Sequence, residues 1–194
     1  MVQRHIILAS ASPQRKRLLG ELGVAFDVLP ADIDESLPAC MPVRDAAAEV
    51  ARRKAQEGAR LARERGIEGI VVAADTIVVA GPDGGVIGKP DDDAHAFAIL
   101  KRLSGSRHSV VTGLCVLDMR SGRRETGWAD TRIAMAEMTD EQIREYVAGG
   151  EAMGKAGAYG YRGEDDPYVK EIDGSMSNVL GLPLELLRDF LERL

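Results

Sequence analysis

The segment from Gly69 to Ala80, GIVVAADTIVVA, constrains the fold of this chain more than any other stretch. Because its apolar residues run on without alternation, both faces should be buried, as in the central strand of a sheet. Asp75 and Thr76 interrupt the run. An isolated buried carboxylate is costly, so Asp75 needs a cation, a metal ion or strong donors beside it. The segment predicts a central strand with a charged functional site; the alternative is a structural Asp75, paired with a buried arginine or hydrogen-bonded to a turn.

A glycine- and proline-rich turn at 81–85 follows this strand and predicts a hairpin that returns the chain at 86–90. The hairpin should bring Lys89 close to Asp75 across the ladder. Two interpretations stay open for this pair, namely a simple salt bridge or a site that holds a metal-bound phosphate.

The start of the chain gives a second functional signal. A short apolar strand at 6–9 leads into a helix, for which Ser12 is a suitable N-cap and Pro13 a suitable first residue. Residues 15–17, Arg-Lys-Arg, then place cations at the positive end of the helix, where acidic residues are usual. An anion would relieve this repulsion, so the segment predicts a phosphate site. The alternative is a surface helix that tolerates its charges.

Two other segments carry candidate charged groups. The loop ADIDES at 31–36 is either a solvated turn or a site for a hard cation, since Mg²⁺ combines one or two carboxylates with substrate phosphates. An alanine-rich helix is predicted at 45–65, with Lys54 at the edge of its buried face. The Lys54 stem either covers the core while its ammonium reaches water, or points into a cleft.

The rest of the chain interleaves helical and strand patterns. The aspartates at 91–93 are interpreted as helix caps rather than metal ligands. Dense glycine at 156–163 predicts a close backbone approach to a ligand or to another element. The other predicted elements are a strand at 24–29, a helix at 91–104, strands at 108–117 and 126–138, a helix from a capping box at Thr139, and a closing helix after Pro183. This order predicts an α/β protein with a mixed sheet.

Composition narrows the class of protein. The 194 residues suffice for one substantial domain or two small lobes, and 45% of them are hydrophobic. A net charge of −6 and only 4% aromatic residues argue against nucleic-acid binding. Cys40 and Cys115 have no ligand-like spacing, nor do His5, His95 and His108. Reduced cysteines, no signal peptide and no membrane-length apolar run predict a cytoplasmic protein that does not enter a membrane.

Taken together, the segments resemble the Maf family of nucleoside triphosphate pyrophosphatases. The matching motifs are LASASPQRKRLL at 8–19, ARRKA at 51–55, AADTIVV at 73–79, GKP at 88–90, LSGSRHSVVTG at 103–113, KAGAYGYRG at 155–163 and GSMSNVLGLPL at 174–184. They occur in order over nearly the whole chain, so the resemblance is specific as a set. It implies a single domain over 1–194, with an elongated mixed β-sheet flanked by helices and two lobes around a central cleft.

The resemblance also implies an activity. Family members are hydrolases acting on acid anhydrides that cleave a nucleoside triphosphate, including non-standard or modified ones, into the monophosphate and pyrophosphate. They use a divalent cation, Mg²⁺ or Mn²⁺. The rival hypothesis is a non-catalytic nucleotide-binding regulator of cell division that acts through a protein partner. Oligomeric state is left open, with a homodimer as one option.

Site residues follow from the motifs that match. Asp75 corresponds to the family's catalytic aspartate, the base that takes a proton from the attacking water. Glu35 corresponds to an acidic position that would hold the cation together with Asp75. The expected phosphate-binding residues are Ser10, Ser12, Arg15, Lys16, Lys54 and Lys89.

Base choice rests on Gln14, Thr76 and Arg162. The subgroup that prefers dTTP and UTP resembles Arg, Thr and Gln at these places, and the subgroup that prefers 7-methyl-GTP resembles Trp, Gln and Glu. Thr76 favours the first subgroup, whereas Gln14 and Arg162 fit neither and the Arg15-Lys16 pair is nearer the second. The base is therefore left open, with Arg162 expected to donate to an acceptor-rich base edge.

Overall fold

The computed structural model describes residues 5–38, 41–81, 85–163 and 165–194, so Cys40 and residues 82–84 of the predicted hairpin turn lie outside it. The strands in these residues are β1 (Ile6–Leu8), β2 (Phe26–Val28), β3 (Ile70–Ala80), β4 (Gly85–Ile87), β5 (Arg107–Asp118), β6 (Arg124–Met135) and β7 (Val169–Asp173). The helices are α1 (Pro13–Gly20), α2 (Val43–Glu64), α3 (Asp93–Leu103), α4 (Asp140–Ala148), α5 (Met176–Val179) and α6 (Leu184–Arg193), with a 3₁₀ turn at Ala156–Ala158.

The strands form one mixed sheet in the order β2-β1-β3-β5-β6-β7, and β4 pairs with β3. β1 runs parallel to β2 and to β3, whereas the β3–β4 and β6–β7 pairs are antiparallel. The predicted α/β class and mixed sheet are confirmed. β3 lies inside the sheet, as its continuous apolar sequence predicts.

The described residues group into two compact units. The first comprises the chain up to Asp75 together with Thr112–Ala129 and Leu180–Leu194, and the second comprises Thr76–Val111 and Asp130–Val179. A single domain with two lobes around a cleft stays a prediction.

In the first unit, both faces of β3 are covered. Val72 and Ala74 pack in one cluster with α6, and Val71 packs in another with the alanines of α2. The approach of α2 is close, because a Cβ at Gly58 would lie 2.8 Å from the Ala9 Cβ. Small residues therefore bring α2, which carries Lys54, directly against the sheet.

In the second unit, the core forms around α3 and α4. The glycine-rich segment approaches another element: Gly157 N–H donates to the Gly88 carbonyl at 3.1 Å, and a Cβ at Gly157 would lie 2.9 Å from Val78 Cγ2. Since Gly157 has φ +76°, both space and backbone conformation favour glycine there.

The helix caps largely match the sequence. Asp92 caps α3 by accepting from His95 N–H at 2.7 Å, and Thr139 begins α4 with both bonds of a capping box. α5 was not predicted, because one helical turn leaves no periodic pattern to detect. No helix in the described ranges combines the length and apolarity needed to cross a membrane.

Candidate active site

The N-terminus of α1 is built as its sequence predicts. Ser12 is the N-cap and its Oγ accepts from Arg15 N–H at 3.4 Å, with Pro13 at the start of the helix and no acidic residue in the first turn. The partial positive charge at the N-terminus of α1 therefore adds to the charge of Arg15, and no carboxylate in the first turn offsets either.

Neutral acceptors hold the Arg15 guanidinium. Its Nε donates to the Gly181 carbonyl at 2.7 Å, and Nη1 donates to Ser10 Oγ at 3.2 Å. Burial lowers the pKa of Arg15, and the carboxylates of Asp75 and Glu35 oppose that shift. Because a guanidinium does not lose its proton in proteins, Arg15 is a fixed cation in this cluster.

Lys54 lies between two carboxylates. Its Nζ is 2.7 Å from Asp75 Oδ1 and 2.8 Å from Glu35 Oε1. The Lys54 side chain is only 7% exposed, so its ammonium is buried rather than extended into water. The cation that Asp75 was predicted to need is therefore a lysine from α2.

Strand parity explains this pairing. Asp75 is two residues beyond Ala73 and four beyond Val71, so the three side chains share one face of β3. Val71 and Ala73 pack there with Ala51 and Ala55 of α2. Lys54 lies on the buried face of that helix. Hence the docking that buries the alanines also brings the Lys54 ammonium to the Asp75 carboxylate.

Solvent exposure increases across the cluster. Asp75 has a side-chain exposure of 9%, whereas Glu35, in the loop before α2, is 46% exposed. The cluster can therefore meet a ligand from the Glu35 side while the Asp75 carboxylate stays largely away from water.

The other predicted site residues are placed as follows. Gln14 and Lys16 are exposed on α1. Lys89 is exposed after β4, Thr76 is half-buried on β3, and Arg162 is exposed; all three belong to the second unit. Their expected convergence with the first-unit cluster stays a prediction.

Arg162 makes several contacts within its own unit. Its guanidinium pairs with Glu151 through Nη2 at 3.0 Å and Nε at 3.1 Å, and lies 5.0 Å from the centre of the Tyr146 ring. These contacts turn part of its donor set toward Glu151. None of these contacts tests whether Arg162 binds the base, so that contact stays a prediction.

The donor set suits a hard cation that also binds substrate. In the part of the chain that the structure describes, no three His, Cys, Asp or Glu side chains are grouped to hold a metal. Asp75 and Glu35 converge on one ammonium, which brings two carboxylates to one place. Mg²⁺ commonly takes one or two carboxylates and completes its shell with phosphate oxygens and water, so these residues fit it.

Two groups at the site, a backbone carbonyl and a guanidinium, are not predicted by the sequence. The Gly181 carbonyl, which holds Arg15, is a backbone group within the quoted motif GSMSNVLGLPL. The guanidinium of Arg53, within ARRKA, donates to two carbonyls of the acidic loop. Both groups lie in motifs that carry the family resemblance, but neither sequence pattern shows which group a backbone oxygen will meet.

Comparison with known proteins gives one family. A family model described as Maf-like protein matches residues 5–194. The chain is 39% identical to a dTTP/UTP pyrophosphatase of Ruminiclostridium cellulolyticum over 191 residues, covering 98% of this chain and 96% of the relative.

Two further relatives bear the same description. A dTTP/UTP pyrophosphatase of Syntrophomonas wolfei is 43% identical over 96% of this chain and 95% of its own. That of Anaeromyxobacter dehalogenans is 46% identical over 92% and 88%. The chain, with its paired carboxylates around a buried lysine, belongs to the Maf family.

Proposed function

We propose that this protein is a nucleoside triphosphate pyrophosphatase that converts dTTP and UTP to the monophosphate and pyrophosphate. The observation that carries the proposal is the Lys54 ammonium held at 2.7 Å and 2.8 Å by Asp75 and Glu35, in the same unit as Arg15. The named relatives, all dTTP/UTP pyrophosphatases, supply the choice of base, and Thr76 agrees with it.

In the proposed reaction, water attacks the α-phosphorus and the bond from that phosphorus to the bridging oxygen breaks, so pyrophosphate leaves. Asp75 accepts the proton of the attacking water, and Lys54 orients the Asp75 carboxylate. Arg15 and the N-terminus of α1 bind phosphate oxygens as negative charge shifts toward the leaving group.

A divalent cation, Mg²⁺ or Mn²⁺, belongs to this proposal. Asp75 and Glu35 would hold it, and when bound it neutralises charge on the phosphate oxygens. Ser10, Ser12, Lys16 and Lys89 are proposed as further phosphate contacts. The proposed setting is the cytoplasm, in keeping with the free, buried thiol of Cys115.

The test replaces one carboxylate and compares a matched control. Asp75→Asn should lower pyrophosphate release by about 10²- to 10⁴-fold, the usual contribution of a general base. Asp27→Asn changes an exposed aspartate of β2 in the same unit and should release pyrophosphate like wild type. Circular dichroism checks that both variants fold.

The assay uses dTTP, UTP, dCTP, ATP, GTP and 7-methyl-GTP, each with Mg²⁺ or Mn²⁺, and measures pyrophosphate and orthophosphate separately. dTTP and UTP should give the highest kcat/KM. Orthophosphate as the main product would contradict the proposed reaction. Nucleotide binding without any hydrolysis would favour the regulatory alternative.

A further inference from the structure

Arg53, the residue before Lys54 on α2, binds the acidic loop at 31–36. Its Nη1 donates to the Asp34 carbonyl at 2.9 Å, and its Nη2 donates to the Ser36 carbonyl at 2.6 Å. These two carbonyls belong to the residues on either side of Glu35. The guanidinium therefore bridges the backbone around Glu35.

Hydrogen bonds within the loop join the two residues that flank Glu35. Asp34 Oδ1 accepts from Ser36 N–H at 2.9 Å, and Oδ2 accepts from the Ser36 hydroxyl at 2.7 Å. These hydrogen bonds lower the pKa of Asp34, with a smaller contribution from the charge of Arg53. A short turn closed in this way presents the Glu35 side chain in one direction.

Adjacent residues of α2 thus hold Glu35 at two points. Arg53 binds the carbonyls that flank it, and Lys54 Nζ contacts its carboxylate at 2.8 Å. The loop lies outside any helix or strand, so no ladder of backbone bonds fixes it. Two parallel donors on one rigid plane are a property of arginine that a lysine ammonium lacks.

We propose that Arg53 is a positioning residue that holds Glu35 in place to receive the divalent cation. The inference rests on the proposed function for the identity of the ligand. It assigns to Arg53 no contact with the nucleotide. Its effect should therefore appear in metal affinity rather than in the chemical step.

The test compares Arg53→Lys with Arg52→Lys. Arg52 is the preceding residue of α2 and binds Glu49 at 2.6 Å and 2.5 Å instead of the loop. Both substitutions keep the positive charge and remove the planar guanidinium. They differ only in the partner that is lost, which is the Glu49 carboxylate for Arg52 and the two loop carbonyls for Arg53. Mn²⁺ alone is titrated into each protein, with bound Mn²⁺ followed by electron paramagnetic resonance.

Arg53→Lys should weaken Mn²⁺ binding by about tenfold, the lower end of the range for groups that orient metal ligands. The Mn²⁺ concentration for half-maximal pyrophosphate release should rise by a similar factor, with kcat at saturating Mn²⁺ changed by less. Arg52→Lys should bind Mn²⁺ like wild type. Equal thermal unfolding midpoints for the two variants would show that folding is not the cause.

Repeating the substitution in a Glu35→Gln variant tests whether Arg53 acts through Glu35. In Glu35→Gln, Arg53→Lys should cause no further loss of Mn²⁺ affinity, because the carboxylate it positions is gone. The proposal is overturned if Arg53→Lys matches Arg52→Lys, if its effect persists in Glu35→Gln, or if wild type binds no Mn²⁺. A wild-type protein whose Mn²⁺ affinity depends on Arg53 and Glu35 but which releases no pyrophosphate would instead refute the proposed function alone.

Discussion

The two units differ in the polar side chains that they bury. The first contains a buried ion pair, Lys54 with Asp75, each 6% exposed as a residue. Among the described residues of the second, the buried polar side chains are uncharged at neutral pH: His108, Thr131, Ser177 and Asn178. Burial lowers the pKa of His108 from 6.5 to about 4, which keeps its ring neutral.

The uncharged groups connect elements of the second unit. Asn178 Nδ2 donates to the Val110 carbonyl at 2.9 Å and to Thr131 Oγ1 at 3.0 Å, which ties α5 to β5 and β6. His108 Nε2 lies 2.7 Å from the Tyr159 hydroxyl. Such bonds satisfy polar atoms at little electrostatic cost.

The ion pair has a different rationale. Removing two charges from water costs as much as their attraction returns, so an apolar pair of similar volume would often be at least as stable. The comparison therefore associates the neutral polar groups of the second unit with structure and the buried Lys54–Asp75 pair with chemistry. Asp118, another buried carboxylate of the first unit, is structural, because it accepts from Arg120 N–H and Ser121 Oγ within a turn. Three measurements test this difference between the units.

The first measurement removes the ammonium. Lys54→Met should destabilise the protein by about 3–5 kcal/mol at pH 7, because the Asp75 carboxylate stays buried without its lysine. Pyrophosphate release should fall to background. Urea unfolding gives the stability, and the double variant Lys54→Met with Asp75→Asn is its control. A double variant no more stable than Lys54→Met would show that the uncompensated charge is not the cause.

The second measurement is the pH dependence of the second unit's histidine. The folded pKa of His108 is about 4, below 6.5, so the unfolded chain takes up the proton first as pH falls. Stability should therefore drop by about 3 kcal/mol between pH 6.5 and pH 4 from this group.

Urea unfolding at several pH values, compared between wild type and His108→Phe, isolates this contribution. The variant should lose that part of the slope and keep wild-type pyrophosphate release at pH 8. Reduced pyrophosphate release by a well-folded His108→Phe protein would contradict the assignment of His108 to structure alone.

The third measurement compares two helix caps. Thr139→Ala removes the bond of 3.2 Å that Thr139 Oγ1 accepts from Gln142 N–H at the start of α4, and should cost about 1 kcal/mol without altering activity. Ser12→Ala removes the longer cap bond of 3.4 Å at α1 and should cost less stability, yet lower pyrophosphate release. Thermal unfolding and the release assay together give the two values. Equal activity of both variants would argue against phosphate binding at α1.

Much of the fold follows from local sequence. The apolar run of β3, the caps of α1 and α4, and the alanine face of α2 each depend on neighbouring residues. The requirement for a cation beside Asp75 also follows, because burial of that carboxylate can be inferred from the strand alone. The sequence could not choose among candidate cations.

That choice depends on how α2 packs against the sheet. Lys54 is 21 residues from Asp75 and reaches it because Gly58 and the alanines allow close packing. The contacts of Arg53 depend in turn on the path of an irregular loop. Periodicity predicts which face of a helix is buried, but not which partner each polar side chain on that face will find.

The bond from Arg15 to the Gly181 carbonyl joins residues 166 positions apart. A ribosome therefore makes the donor long before it makes the acceptor. Any nascent or prematurely terminated chain that stops short of Gly181 carries an Arg15 without this restraint, however well its earlier strands have paired. Messages with an early stop codon should thus yield products that lack this anchor for the arginine.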